Sequence, residues 1–180
     1  FRAAHEADPD AMLIYNDFNL DSHGKREAVF AMIKELLENG VPIHGVGMQA
    51  HYDLTTKPSD VENSVKRFAE LGISISISEL DITAQTAANS HEMPRHLELA
   101  QAVLYAQLFK IFRENSDVID RVTLWGLDDA TSWRAERFPL AFNRDLSPKL
   151  SFYAILDPDK FLANHNTIID PDEFLLYYLD

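Results

Sequence analysis

The sequence predicts an α/β protein built on a parallel sheet, with strand-like and helix-like stretches alternating along the chain. Three observations predict it. In residues 73–82, Ile-Ser-Ile-Ser-Ile-Ser-Glu-Leu-Asp-Ile, apolar Ile73, Ile75 and Ile77 alternate with serines at period two, as in a strand whose neighbours point to opposite faces, and the run ends in two carboxylates. Leu97, Ala100, Leu104, Leu108 and Ile111 instead recur at helical spacing and form an apolar stripe. Gly40 and Gly72 each close a helix-like run just before the next strand-like one. Strands alternating with helices in this way imply right-handed crossovers between parallel strands.

In chain order, a helix-like segment spans Phe1 to Ala7 and the first strand is expected at Met12–Tyr15. Its helix runs Lys25–Asn39 and stops at Gly40. The second strand is Ile43–Met48. The helix after it starts at Ser59, where Ser59-Asp60-Val61-Glu62 fits a capping box with Glu62 reaching back to the cap N–H; Leu71-Gly72 ends it. The third strand, Ile73–Ser78, is followed by a loop and a helix from about Leu97 to Arg113. The fourth strand, Arg121–Leu127, precedes a long loop and a short helix, Pro148–Leu156. That makes four strand–helix units, without an obvious sequence repeat. Residues 158–180, with the apolar and aromatic run Phe174 to Tyr178, read as an extension to which no function attaches.

Composition narrows the function. The 180 residues suit one domain with a real core. A formal net charge of −13 argues against a nucleic-acid partner and suits a neutral polymer. There is no cysteine, hence neither a disulfide framework nor a thiolate zinc site. No run of 18 apolar residues exists, so no spanning helix and no membrane partner are expected. Any signal peptide would lie upstream of Phe1.

The polar residues gather at strand ends. Period two places Glu79 and Asp81 on one face at the end of the third strand, and in parallel α/β barrels that end carries the catalytic groups. Tyr15-Asn16-Asp17-Phe18-Asn19, Gly45-Val46-Gly47-Met48-Gln49-Ala50-His51 and Trp125-Gly126-Leu127-Asp128-Asp129-Ala130-Thr131-Ser132-Trp133-Arg134 close the other strands. Asp17 and Asn19 serve equally as turn residues. Trp133 sits in a polar loop that suits no core, whereas Trp125 falls within the strand run. His44 and His51 are out of phase for a metal pair, and His91 and His96 have no carboxylate spaced to complete a site, so metal catalysis is rejected. Ser74, Ser76 and Ser78 form no nucleophile elbow and read as small structural residues. Asp128-Asp129 reads as a solvated loop rather than a calcium site.

Taken together and in this order, these stretches resemble glycoside hydrolase family 10, the retaining endo-β-1,4-xylanases, over nearly all of residues 1–157. The resemblance rests on Tyr-Asn-Asp at 15–17, Gly-Val-Gly-Met-Gln-Ala-His at 45–51, Ser-Glu-Leu-Asp-Ile at 78–82 and Trp-Gly…Ser-Trp-Arg at 125–134. Pro139-Leu140-Ala141-Phe142-Asn143 and Pro148-Lys149…Tyr153-Ala154-Ile155 resemble the family's closing segment, with Asn143 where an Asp is common and Leu150 where a second proline is common.

The resemblance implies a (β/α)8 TIM barrel of which residues 1–157 supply strands five to eight, the C-terminal half. It implies that Glu79 is the nucleophile and that His51 and Asp81 form a hydrogen-bonded chain behind it. Gln49 would donate to the nucleophile or the sugar, and Tyr15 and Asn16 would contact the leaving-group side. Trp125 would floor the cleaved subsite, with Trp133 and Arg134 roofing it. The acid/base glutamate, in an Asn-Glu pair, would lie upstream of Phe1. The substrate implied is xylan or a xylo-oligosaccharide, with no cofactor, and the parent enzyme is expected to be secreted. Two other readings stand beside this one: a related retaining β-1,4-glucanase, and an inactive half-barrel that binds sugar weakly, self-associates or pairs with an upstream half to close the barrel.

Overall fold

A computed structural model describes residues 1–84 and 92–165. Contacts divide the chain into two compact units. The first comprises Phe1–Ala50, Ser59–Leu80 and Asn115–Thr123; the second comprises His51–Pro58, Asp81–Glu114 and the chain from Leu124 onward.

The described elements are α1 (Arg2–Ala7), β1 (Ile14–Asp17), α2 (His23–Glu38), β2 (Gly45–Met48), β3 (His51–Asp53), α3 (Pro58–Ala69), β4 (Ser74–Thr83), α4 (Arg95–Glu114), β5 (Ile119–Leu124), a 3-10 turn (Ala135–Arg137), α5 (Leu150–Leu156) and α6 (Pro158–His165). The four expected strand–helix units are present, and the described pairings among β1, β2, β3 and β4 are parallel.

In the first unit β2 lies between β1 and β4, in the registers Asn16↔Gly47 and Gly47↔Ser76. Val46, Ile75 and Ile77 are fully buried. Helix α3 presents Val61, Ser64, Val65 and Phe68 to this core at i, i+3, i+4 and i+7. Burying each large apolar side chain stabilises the unit by about 1.5–3 kcal/mol. Arg26 of α2 is buried too, and donates to Ser64 Oγ at 3.2 Å, while Ser64 donates to the Leu20 carbonyl at 2.9 Å. The Arg67 guanidinium covers the Phe30 ring at 3.5 Å.

In the second unit, β3 pairs with the far end of β4, His51 opposite Asp81. Helix α4 lies against α5 and α6. Its buried Gln101 donates to the carbonyls of Ile82 and Phe138, both at 2.6 Å, and its buried Tyr105 donates to the Pro139 carbonyl at 2.7 Å. These bonds stitch the segment after the 3-10 turn to the strand end, because buried carbonyls must find donors.

Several sequence expectations are corrected. Strand β1 starts and ends two residues later than Met12–Tyr15, so Asn16 and Asp17 are strand residues, while β2 begins at Gly45 rather than Ile43. Helix α3 opens on Pro58, whose missing N–H suits a first helical position, and Ser59 is therefore inside the helix. The capping box fails because Glu62 turns forward to pair with Lys66. Strand β4 extends to Thr83, and β5 stops at Leu124. The α4 stripe holds at Leu104, Leu108 and Ile111, which are buried, while Leu97 and Ala100 are half-buried and Gln101 and Tyr105 are fully buried beside it. Helix α6, with Phe161 buried, falls within residues read as an extension. Phe174 to Tyr178 and His91 lie outside the described residues. The two glycine stops hold, with Gly40 and Gly72 at φ 65° and 67°.

Candidate active site

Strand β4 carries the two carboxylates, and its pairing offset changes between Ile77 and Asp81. Paired residues are offset by 29 positions from Gly45↔Ser74 to Met48↔Ile77, but by 30 from His51↔Asp81 onward. The strand therefore holds one extra residue between Ile77 and Asp81, the count of a β-bulge. In the same stretch, neighbours that strict alternation would separate reach one side chain. Ser78 Oγ donates to Asn16 Oδ1 at 2.6 Å, and Asn16 Nδ2 donates to Glu79 Oε1 at 2.8 Å.

Beside them in the first unit, Tyr15 and Asp17 form a second array. The Tyr15 hydroxyl donates to Asp17 Oδ2 at 2.9 Å, Lys25 Nζ donates to Asp17 Oδ1 at 2.8 Å, and the Phe18 N–H donates to the same oxygen at 2.8 Å. Burial pushes the Asp17 carboxyl up, but the Lys25, Tyr15 and Phe18 bonds outweigh it and hold Asp17 below the usual carboxylate range. Burial, followed by the Asp17 bond and charge, pushes the Tyr15 hydroxyl up. Asp17 is thus a hub rather than only a turn residue, whereas Asn19 does turn the chain, at φ 54°. The backbone N–H of half-buried Gln49 donates to the Asp17 carbonyl at 3.0 Å.

The second unit gathers His51, Asp81, Trp125, Trp133 and Arg134. Asp81 is completely buried. The Trp133 indole N–H donates to its Oδ2 at 2.7 Å, Arg134 Nη1 donates to Oδ1 at 3.3 Å, and His51 Nδ1 lies 3.2 Å from Oδ1. The ring of His51 meets Trp133 edge-on at 5.0 Å and Trp125 at 6.4 Å. Arg134 sits over the Trp133 ring at 4.4 Å. Polar edges are thereby fixed on a buried carboxylate while the tryptophans stay 62% and 44% exposed. Exposed aromatic faces of this kind suit the C–H face of a sugar. Trp125 follows β5 and is not a strand residue.

Sequence reasoning passed over Lys25, eight residues beyond Asp17 with no local signal of the pairing. It also misread Asp128-Asp129. Both are buried: Asp128 caps the N–H groups of Ala130 and Thr131, and Asp129 pairs with Lys149 at 2.9 Å. Among the described residues no group of three or more His, Asp or Glu could hold a metal ion, and no helix is long and apolar enough to cross a membrane.

Parallel strands alternating with helices, with carboxylates, amides and exposed indoles toward their C-terminal ends, fit the (β/α)8 barrel class of α/β proteins. More particularly, the chain belongs to glycosyl hydrolase family 10, whose family model matches residues 1–158. Endo-1,4-beta-xylanase A of Thermotoga neapolitana is 44% identical over 165 residues, covering 88% of this chain and 16% of that protein. The solved GH10 xylanase of Thermobacillus composti superposes with a TM-score of 0.82 at 39% identity, over 86% of this chain and 55% of that one. An intracellular xylanase of Thermoanaerobacterium saccharolyticum, solved as a glutamate-to-alanine mutant with xylotetraose, gives 0.81 at 35% identity, over 86% and 47%. The chain thus spans about half the length of the solved relatives it matches.

Proposed function

We propose that this chain carries the nucleophile and part of the sugar platform of a retaining endo-1,4-β-xylanase acting on xylan or xylo-oligosaccharides. The observation that carries the reading is Glu79, in the C-terminal half of a parallel strand and bonded by Asn16 within the stretch that matches the family. The names of the relatives and the xylotetraose complex of one of them support the substrate class. In the first half-reaction a Glu79 oxygen attacks the anomeric carbon as the glycosidic C–O bond breaks, leaving a glycosyl ester. Water then cleaves that ester and restores the carboxylate. The Asn16 amide donor holds the Glu79 carboxylate in one orientation for attack. His51 and Asp81 act in this reading as the orienting pair, and Trp125, Trp133 and Arg134 as sugar contacts. Tyr15, Asn16 and Gln49 complete the contacts.

The leaving oxygen needs a second carboxyl group as acid. The reading assigns that role to the part of the family domain that residues 1–180 do not cover, and places the parent enzyme outside the cell. Incubation with a 2-fluoro-xylobioside bearing a dinitrophenyl leaving group tests the nucleophile, since that group departs without protonation. The expected label lies on Glu79 by peptide mapping, and a label on another carboxylate overturns the assignment. In the enzyme that hydrolyses xylan, Glu79→Ala should lower kcat by about 10⁴-fold or more. Faster hydrolysis of carboxymethyl cellulose than of xylan would replace the xylanase reading with a glucanase one.

A second reading, in which the isolated chain associates with itself or with a complementary half-barrel, follows from the tendency of strand edges without a neighbour to pair. Light scattering that finds a monomer at all working concentrations removes self-association.

A further inference from the structure

We infer that Gly47 and Ser78 are positioning residues for Glu79, acting through Asn16. The inference deepens the proposed function and rests on Glu79 being the nucleophile.

Asn16, Gly47 and Ser76 stand side by side in register on three successive parallel strands. Adjacent strands lie about 4.8 Å apart, so β1 and β4 are separated by about twice that. Asn16 meets groups on β4 by lying across β2, and Gly47 is what leaves room. A Cβ built at Gly47 would fall 2.5 Å from Asn16 Oδ1, 3.1 Å from Cγ and 3.3 Å from Cβ. The bare backbone of Gly47 is the floor on which the amide rests.

Ser78 holds the other end. An ionised carboxylate only accepts, so the amide must offer Nδ2 to Glu79, which leaves Oδ1 in need of a donor. The Ser78 hydroxyl supplies it at 2.6 Å, and the amide bridges Ser78 to Glu79, with Nδ2 2.8 Å from Oε1. Asn16 is an exposed residue, and nothing local in an exposed strand position restricts its rotamers to this one. The glycine floor and the serine donor together select it. The β4 bulge is also part of the device, since it brings Ser78 and Glu79 to the same side chain.

The consequence is specific. In Gly47→Ala the one contact below 3.0 Å is with Oδ1, the free end of a flexible side chain, so Asn16 is expected to swing away. Ser78→Ala removes the donor, and Ser78→Thr keeps a hydroxyl at the same position.

The test uses two readouts, the first on the 180-residue chain and the second, turnover, on the enzyme that hydrolyses xylan. The Asn16 side-chain amide is followed by 1H–15N NMR, assigned by its disappearance in Asn16→Ala. The bonded proton should be shifted downfield and protected from exchange. Gly47→Ala and Ser78→Ala should abolish that signature with the rest of the spectrum in place, and Ser78→Thr should restore it. Turnover of the dinitrophenyl xylobioside should fall about tenfold in kcat in the first two variants, the weight of one bond to a charged group, with KM within about twofold. Ser78→Thr should recover it. An intact amide signature in Gly47→Ala overturns the inference, and so does loss of the signature without loss of kcat. If the fluoro-sugar labels a residue other than Glu79 while the amide signature behaves as stated, the nucleophile reading fails and the seating of Asn16 survives it.

Discussion

Lys149 Nζ lies 2.9 Å from Asp129 Oδ2, and both side chains are buried, at 1% and 0% exposure. Around this pair, Asp129 Oδ1 accepts the Leu140 N–H at 2.8 Å, and Lys149 donates to the Phe138 carbonyl at 2.8 Å. Burial pushes the Asp129 carboxyl up despite the nearby ammonium, and burial pushes the Lys149 ammonium down despite the carboxylate. Both directions say that desolvation outweighs mutual attraction, the usual condition of a buried ion pair. The pair ties the start of the loop that carries Trp133 and Arg134 to the segment that follows it.

Breaking the pair from one side should therefore be worse than removing both charges. Lys149→Met or Asp129→Asn alone should destabilise by about 3–5 kcal/mol, since each leaves an uncompensated buried group. The double variant should fall short of the sum by more than about 1 kcal/mol. Urea unfolding of the four proteins measures this, and strict additivity would show that the charges do not interact.

Trp133 is mostly exposed yet anchored by its indole N–H. Trp133→Phe keeps an aromatic face and deletes the 2.7 Å bond to Asp81. A buried carboxylate that loses a donor costs about 1–3 kcal/mol. The expected result is a lower thermal midpoint together with weaker xylo-oligosaccharide binding by calorimetry. Unchanged stability would mean that Arg134 and His51 satisfy Asp81 without the indole.

Asp17 makes stability depend on acid. Its folded carboxyl titrates below the ordinary value, so its contribution is complete above the unfolded range and is lost as pH falls through the depressed value. Asp17→Asn should melt lower than the parent at about pH 6, with the gap closing below about pH 4. Thermal melts across that interval check the sign. A gap that is constant with pH would assign the loss to geometry instead of charge.

Two glycines should respond in opposite senses. Gly24 lies in α2 with open space at its Cβ, so Gly24→Ala should stabilise by about 0.5–1 kcal/mol through the unfolded chain. Gly40 also has open space but holds φ 65°, and Gly40→Ala should destabilise by about 1 kcal/mol. Equal effects in denaturant melts would contradict the backbone argument.

Much of this architecture is written locally. The period-two run at 73–77 and the glycine stops at 40 and 72 depend on residues within one or two turns of chain, and they appear where the sequence puts them, whereas Glu79 lies inside β4 and not at its end. Local rules failed where a distant or competing partner intervened. Ser59 lost its cap because Pro58 took the first helical position and Lys66 took Glu62. Asp128-Asp129 looked solvated because nothing within reach in sequence announces Lys149, twenty residues on.

The sequence alone determined the class of fold, its four strand–helix units in order and the family resemblance, because periodicity and motif spacing are properties of the chain, but it did not announce β3 or α6. Only the tertiary structure decided how those residues are held. The bulge that turns Ser78 and Glu79 toward Asn16 is a difference between two registers. The bond from Trp133 to Asp81 joins residues 52 positions apart, and the one from Asn16 to Glu79 spans 63. Contacts over such separations are set by strand pairing and burial, which depend on the folded chain as a whole and leave no mark on the neighbours of either residue.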